Sequence, residues 1–251
     1  ASYEEILRAA PAGPIVVRTI DAGSDKPVPF LNMGHEENPA LGVRGYRLIE
    51  EHRDFIIDQL ESLELARQAS GREVWVMAPM IATASEALEF AELARSAGNF
   101  KVGIMVETPS IVYQIPALQG KLDFISVGTN DLSQYLFAAD RMNPALGAML
   151  NPWQPGLIGA LKQISDACAA AGIYSGVCGE SASDPAFAVL LAGMGFDSVS
   201  SSRSQVGAVR QALSAVSKEQ AKEVLTAALT GSNAEEAKSN ALGVLSAISE
   251  N

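Results

Sequence analysis

Apolar runs alternating with amphipathic segments along the whole chain predict an α/β fold built on a parallel sheet. Six short runs, most of them apolar and rich in β-branched residues, are each set off from the next by helical periodicity. That order brings right-handed crossovers and helices packed on the sheet. Polar residues recur where the runs end, which favours a TIM-type barrel over an open doubly wound sheet. With 251 residues, 48% hydrophobic and 19% charged, the chain can bury one large core. No internal boundary stands out, so residues 1–251 read as a single domain.

Taken in order, Tyr3 to Ala10 predicts a short helix, stopped by Pro11, Gly13 and Pro14. Ile15 to Asp21 is β-branched and ends in polar residues, a strand pattern. A loop of about 20 residues, Ala22 to Gly42, carries Gly23, Pro27, Pro29, Gly34 and Pro39; loops that long are usually functional or disordered. Leu48, His52, Phe55, Ile56, Leu60 and Leu63 recur at helical spacing. Val74 to Met80 is the next strand, and Thr83 with Glu86 forms a capping-box pattern before a helix ending at Gly98. Lys101 to Pro109 and Phe124 to Asp131 are apolar runs that stop at acids, with a helical stretch around Tyr113–Leu118 between them. A helix, a Pro/Gly-rich loop from Asn143 to Gly156, and a helix closed by Gly172 follow. Tyr174 to Glu180 is a strand, Asp184-Pro185 opens a helix, and Asp197 to Ser202 is the last strand. Three helices finish the chain. Val206, Val209, Leu213 and Val216 line the first, and Ser217 and Asn233 cap the others.

Composition excludes several classes. No run reaches the roughly 18 apolar residues of a membrane helix, and no basic-then-apolar signal sequence opens the chain. Net charge is −11, from 18 Lys+Arg against 29 Asp+Glu. That argues against nucleic acid and anionic membranes as partners. Two cysteines, Cys168 and Cys178, make no disulfide framework, so a reducing cytosol is expected.

The chemistry gathers at the ends of the runs. Glu107 and Asp131 follow strongly apolar stretches, and a hard divalent cation takes one or two such carboxylates plus water and substrate oxygens. The competing reading makes them helix caps or solvated acids. Arg18 is a cation in an apolar strand; a buried arginine needs a partner, either Asp21 or an anionic ligand. Arg44 reads as surface-exposed, and Arg141 as either a ligand contact or a simple pair with Asp140. Cys178, beside Gly179, is a candidate proton donor or a small core residue, whereas Cys168 and His52 sit on apolar stripes and read as packing. His35 has no evident role. A Ser-His-Asp order, a cysteine metal cluster and a Walker motif are absent from the sequence.

Five motifs occur in register: Arg18-Thr-Ile-Asp-Ala-Gly-Ser-Asp-Lys26; Glu37-Asn-Pro39 with Gly42-Val-Arg44; Gly103-Ile-Met-Val-Glu107-Thr-Pro109; Ser126-Val-Gly-Thr-Asn-Asp131-Leu-Ser-Gln-Tyr135; and Gly176-Val-Cys-Gly-Glu180. Together they closely resemble the phosphoenolpyruvate-binding domain of Enzyme I of the bacterial phosphotransferase system, a barrel shared with phosphoenolpyruvate synthase and pyruvate phosphate dikinase. The Gln134-Tyr135 and Ala139-Asp-Arg141 positions look more like Enzyme I. The resemblance implies magnesium ligands at Glu107 and Asp131. It implies phosphate binding by Arg18, Arg44 and Arg141, substrate binding by Asn130 and Asp131, and protonation of the enolate by Cys178. It also implies transfer of the phosphoryl group to a histidine of a separate N-terminal domain, and from there to the carrier protein HPr for sugar uptake. A homodimer is expected.

Two departures accompany it. The family's eight-stranded barrel has two further strand–helix units before the first strand read here, one bearing another phosphate-binding arginine. The phosphorylated histidine motif surrounds neither His35 nor His52. The chain therefore reads as an N-terminally incomplete (β/α)8 barrel with C-terminal helices, able to bind phosphoenolpyruvate and donate its phosphoryl group. A magnesium-dependent lyase on the same barrel is an alternative that needs the acids but not the cysteine. A non-catalytic binding module needs neither.

Overall fold

The computed structural model describes residues 2–24, 26–28, 31 and 34–250. Among these, six strands alternate with helices: α1 (Tyr3–Ala9), β1 (Ile15–Arg18), α2 (Ile49–Ser70), β2 (Val74–Ile81), α3 (Ala84–Ala97), β3 (Lys101–Val106), α4 (Pro109–Val112), β4 (Phe124–Gly128), α5 (Thr129–Leu136), α6 (Pro155–Ala171), β5 (Tyr174–Cys178), α7 (Pro185–Met194) and β6 (Ser198–Val199). Helices α8 (Val206–Ser214), α9 (Lys218–Ala228) and α10 (Ala234–Ser249) end the chain. The sheet runs β1-β2-β3-β4-β5-β6, and the β1/β2 and β5/β6 pairs are parallel. The α/β class and the strand count agree with the sequence pattern.

Two compact units make up the chain. One comprises Ala1–Met105 and Gly120–Phe124, the other Val106–Gln119 and Ile125–Asn251.

In the first unit Ile15 pairs with Val74 and Arg18 with Met77, and both α1 and α3 pack on α2. Arg72 ties α1 to this layer by donating to the carbonyls of Leu7, Ala10, Pro11 and Gly13, which close the turn after the helix. The long loop after β1 is packed. Ala22, Leu31 and Leu48 form a small core flanked by Ile20, Val28 and Phe55, and Gly23 bridges both Lys26 and Arg44. Pro29, one of the loop's punctuating residues, and Asp25 of the first motif lie outside the described residues. Glu86 and Thr83 close the expected capping box on α3. The stripe read from Leu48 to Leu63 is not one regular helix, because His52 leaves helical geometry (φ −130°, ψ 39°) and kinks α2 near its start.

In the second unit α7 is apolar on every side, Pro-Ala-Phe-Ala-Val-Leu-Leu-Ala-Gly-Met, and is buried accordingly by α6, α8 and α9. Phe187 and the buried Trp153 meet edge to face at 5.1 Å. Asp184 caps α7 by accepting from the Ala186 and Phe187 amides, and Gly172 ends α6 in the left-handed conformation, as the sequence predicts. The helical stretch expected around 113–118 is present as a 3-10 helix, Ile115–Leu118, after the four-residue α4; Pro109 and Pro116 sit in their first turns, and both helices stay short. Two expectations need correcting. The last strand is two residues, Ser198–Val199, since the serines that follow offer no apolar face to bury. On α8 Val209 is buried and Val206 is exposed, so the apolar stripe is narrower than its spacing suggests.

Candidate active site

In the second unit the segments that follow β3, β4 and β5 carry the side chains of the proposed motifs. Glu107 directly follows β3 and is 2% exposed. Its carboxylate lies over the backbone of Gly128, the last residue of β4. A Cβ at that position would stand 2.6 Å from Glu107 Oε1, so only glycine lets the acid sit there without a shift.

Asp131 is not at a strand end. The β4 strand stops at Gly128 and α5 begins at once, which puts Asp131 in the helix's first turn, where backbone amides favour an anion. It is buried, and Arg141 Nη1 approaches its Oδ2 at 3.7 Å. Arg141 is half-buried and pairs with Asp131 rather than with its chain neighbour Asp140. The buried Gln134 of α5 helps aim it, accepting from the Arg141 backbone amide at 3.0 Å.

Cys178 ends β5 half-buried, its thiol donating to the Val127 carbonyl at 3.3 Å and accepting from Ser126 Oγ at 3.5 Å. The loop after it is stitched to the start of α5. Thr129 Oγ1 donates to the Cys178 carbonyl at 3.0 Å and shares a hydrogen bond with Ser181 Oγ at 2.7 Å. Asn130 Oδ1 accepts from the Glu180 amide at 3.3 Å. Gly179 (φ +101°) makes this approach possible, since a Cβ there would fall 2.5 Å from Thr129 Oγ1. Asn130 also lines a cleft of about 170 Å³ with Thr129, Ser133, Glu180 and Ser181. Cys168, by contrast, is fully buried on α6, and burial pushes its thiol up to about 12, which leaves it inert.

The first unit holds a separate charge cluster at the end of β1. Asp21, its side chain 1% exposed, is met by Lys26 Nζ at 3.0 Å, Arg44 Nη2 at 3.2 Å and Arg18 Nη1 at 3.4 Å. Burial alone would raise the Asp21 carboxyl, but Arg44, then Lys26 and Arg18, outweigh it and hold the group below its ordinary value. Two sequence expectations reverse here. Arg18, read as buried, is 42% exposed because β1 ends with it; Arg44, read as exposed, is 1% exposed because the packed loop carries it behind Asp21.

Of the residues named from sequence, Glu107, Asp131, Asn130, Arg141 and Cys178 lie in the second unit on connections after β3, β4 and β5. Arg18 and Arg44 lie in the first unit, gathered on Asp21. Sequence reasoning missed Ser126, Thr129, Gln134 and Lys26 as parts of these networks. The signal for the first three was there: polar residues recur inside the otherwise apolar stretch Phe124–Tyr135.

Among the described residues no three His, Cys, Asp or Glu side chains gather as a metal group. The buried acids of the second unit's motifs are Glu107 and Asp131, oxygen donors of the kind a hard cation takes together with water and substrate oxygens.

An α/β chain thus carries two buried acids, a half-buried arginine and a half-buried thiol on the segments that follow β3, β4 and β5. Residues 1–218 match the family described as PEP-utilising enzyme, PEP-binding domain. A phosphoenolpyruvate-protein phosphotransferase of Streptomyces coelicolor is 43% identical over 248 residues, covering 98% of this chain and 44% of that protein. One from Haemophilus influenzae is 36% identical over 240 residues, covering 91% and 41%. A multiphosphoryl transfer protein of Rhodobacter capsulatus is 38% identical over 219 residues, covering 85% and 26%. The chain belongs to the PEP-binding domain family of PEP-utilising enzymes, and it spans less than half the length of these relatives.

Proposed function

We propose that this chain is the phosphoenolpyruvate-binding, phosphoryl-donating part of a phosphoenolpyruvate-protein phosphotransferase. The observation that carries the reading is the pair of buried acids, Glu107 and Asp131, on the connections after β3 and β4, with the Cys178 thiol ending β5. On this reading the six strands are six of the eight of a (β/α)8 barrel.

Glu107 and Asp131 would hold Mg2+, which would supply charge neutralisation for the anionic substrate. Arg141, held against Asp131, binds the phosphate; the same role falls to Arg18 and Arg44 by resemblance. Asn130 presents substrate contacts from the first turn of α5. The phosphoryl group passes to an imidazole nitrogen of a histidine on a separate domain, breaking the P–O bond and leaving the enolate. Cys178 then gives its S–H proton to the methylene carbon, forming the C–H bond of pyruvate. The phosphohistidine domain passes the group on to HPr for sugar uptake. The protein acts as a homodimer in the cytoplasm.

Calorimetry of phosphoenolpyruvate binding with Mg2+ and with a chelator tests this. The expected result is binding that needs the ion and weakens in Glu107→Gln. Equal affinity in both conditions sinks the metal assignment. In the whole phosphotransferase, pyruvate formation that survives Cys178→Ala unchanged sinks the proton-donor assignment.

A further inference from the structure

We propose that Ser126 is a positioning residue for the proton donor: its hydroxyl aims the Cys178 sulfur and carries the charge left on it when the proton goes. This rests on the reading of Cys178 as the acid. Ser126 is the polar residue inside the β4 run Phe-Ile-Ser-Val-Gly, half-buried where an apolar side chain would be ordinary. Alternate residues of a strand share a face. Ser126 and Gly128 therefore point to the same side, and the Glu107 carboxylate occupies the space above Gly128. The Ser126 hydroxyl reaches Cys178 Sγ on that side at 3.5 Å, within the longer range of sulfur hydrogen bonds.

The contacts with the Val127 carbonyl and with Ser126 act on the sulfur in opposite senses. The S–H bond to the Val127 carbonyl, at 3.3 Å, favours the neutral thiol and orients its proton. The bond donated by Ser126 favours the thiolate. When the S–H bond breaks and its proton joins the methylene carbon, the electron pair stays on sulfur. The Val127 carbonyl then opposes that charge and Ser126 supports it. The charged groups carried after β3, β4 and β5 are the carboxylates Glu107, Asp131 and Glu180 and the Arg141 guanidinium, the acids having the sign that opposes a sulfur anion and the arginine the sign that favours one. Ser126 is thus a neutral donor that lowers the cost of proton release without adding a cation to compete for the substrate's phosphate.

The test is alkylation of Cys178 by iodoacetamide near neutral pH, followed by peptide mass spectrometry, with buried Cys168 as the unreactive internal reference. Losing one donated bond should slow alkylation about ten-fold in Ser126→Ala, equivalent to about 1.4 kcal/mol on the thiolate. Ser126→Thr, which keeps the hydroxyl, should restore the rate. Phosphoenolpyruvate affinity with Mg2+ should be unchanged in both variants, a split that general loosening of β4 would not give. Ser126→Gly makes the same deletion if the alanine variant does not fold. Unchanged alkylation in a folded Ser126→Ala or Ser126→Gly protein overturns the proposal. Failure of the wild-type chain to bind phosphoenolpyruvate with Mg2+ instead counts against the substrate reading and leaves the alkylation comparison decisive for Ser126.

Discussion

Gly128→Ala should displace the proposed metal ligand without touching it. An alanine Cβ would lie 2.6 Å from Glu107 Oε1, 2.7 Å from Cγ and 3.0 Å from Cδ, whereas ordinary contact begins at 3.4 Å. The nearest approach is short by about 0.8 Å. Backbone conformation is not the obstacle, since Gly128 has φ −89° and ψ 89°. The clash is with a carboxylate that is only 2% exposed and has little free space to retreat into. Overpacking of this kind costs about 1–3 kcal/mol. For a chain of this size each kcal/mol lowers Tm by about 2–4 °C, so a fall of roughly 2–12 °C is expected by scanning calorimetry. Magnesium-dependent phosphoenolpyruvate binding should weaken as well, because the acid leaves the place where it faces Asp131's helix. Gly147→Ala is the control: its Cβ would meet nothing closer than the Pro144 carbonyl at 3.5 Å, and it should leave binding unchanged. A Gly128→Ala protein with wild-type Tm and wild-type Mg2+ dependence would refute the placement of Glu107 against the end of β4.

Three further outcomes follow from the geometry. Asp21→Asn leaves the buried Arg44 facing a neutral amide, which should destabilise the protein by about 3 kcal/mol in urea titration, the low end for a broken buried pair because Arg18 and Lys26 stay solvated. The hydrogen bonds from Arg67, opposed by burial and joined by Gln68 and the Asn99 amide, hold the Glu64 carboxyl at about 2 against an unperturbed 4.5. A depressed carboxyl contributes stability above 4.5 that is lost as pH falls towards 2. Glu64→Gln should therefore lower the urea midpoint at neutral pH and converge on wild type near pH 2. Gly159, inside α6, has nothing within 4 Å of the position an alanine methyl would take, so Gly159→Ala should gain about 0.5–1 kcal/mol, read as a higher Tm.

Much of the fold could be read from short-range signals. Thr83 and Glu86 close their capping box, Ser217 and Gln220 close theirs, and Gly172 ends α6, because each device involves residues a few positions apart. The same locality explains the near miss at Asp131. Apolar spacing marked the end of β4 but could not show that α5 starts without an intervening loop. The reversals at Arg18 and Arg44 are different in kind. Arg18 looked buried because its neighbours are apolar, yet β1 stops there and the side chain reaches solvent. Arg44 looked exposed because it follows a long loop, yet that loop folds back through Gly23 and packs Ala22, Leu31 and Leu48 beneath it.

From sequence alone came the alternation of strands and helices, the caps, and the residue types that follow each strand, including both acids and the thiol. These depend on local propensity and on periodicity, which adjacent residues carry. Only the tertiary structure decided which charges are desolvated and which partners they meet. Asp131 faces Arg141 rather than solvent, Asp21 gathers three cations, and Cys178 lies between Ser126 and the Val127 carbonyl. Burial and pairing are sums over atoms brought together from distant parts of the chain, and those distances exist only once the chain has folded.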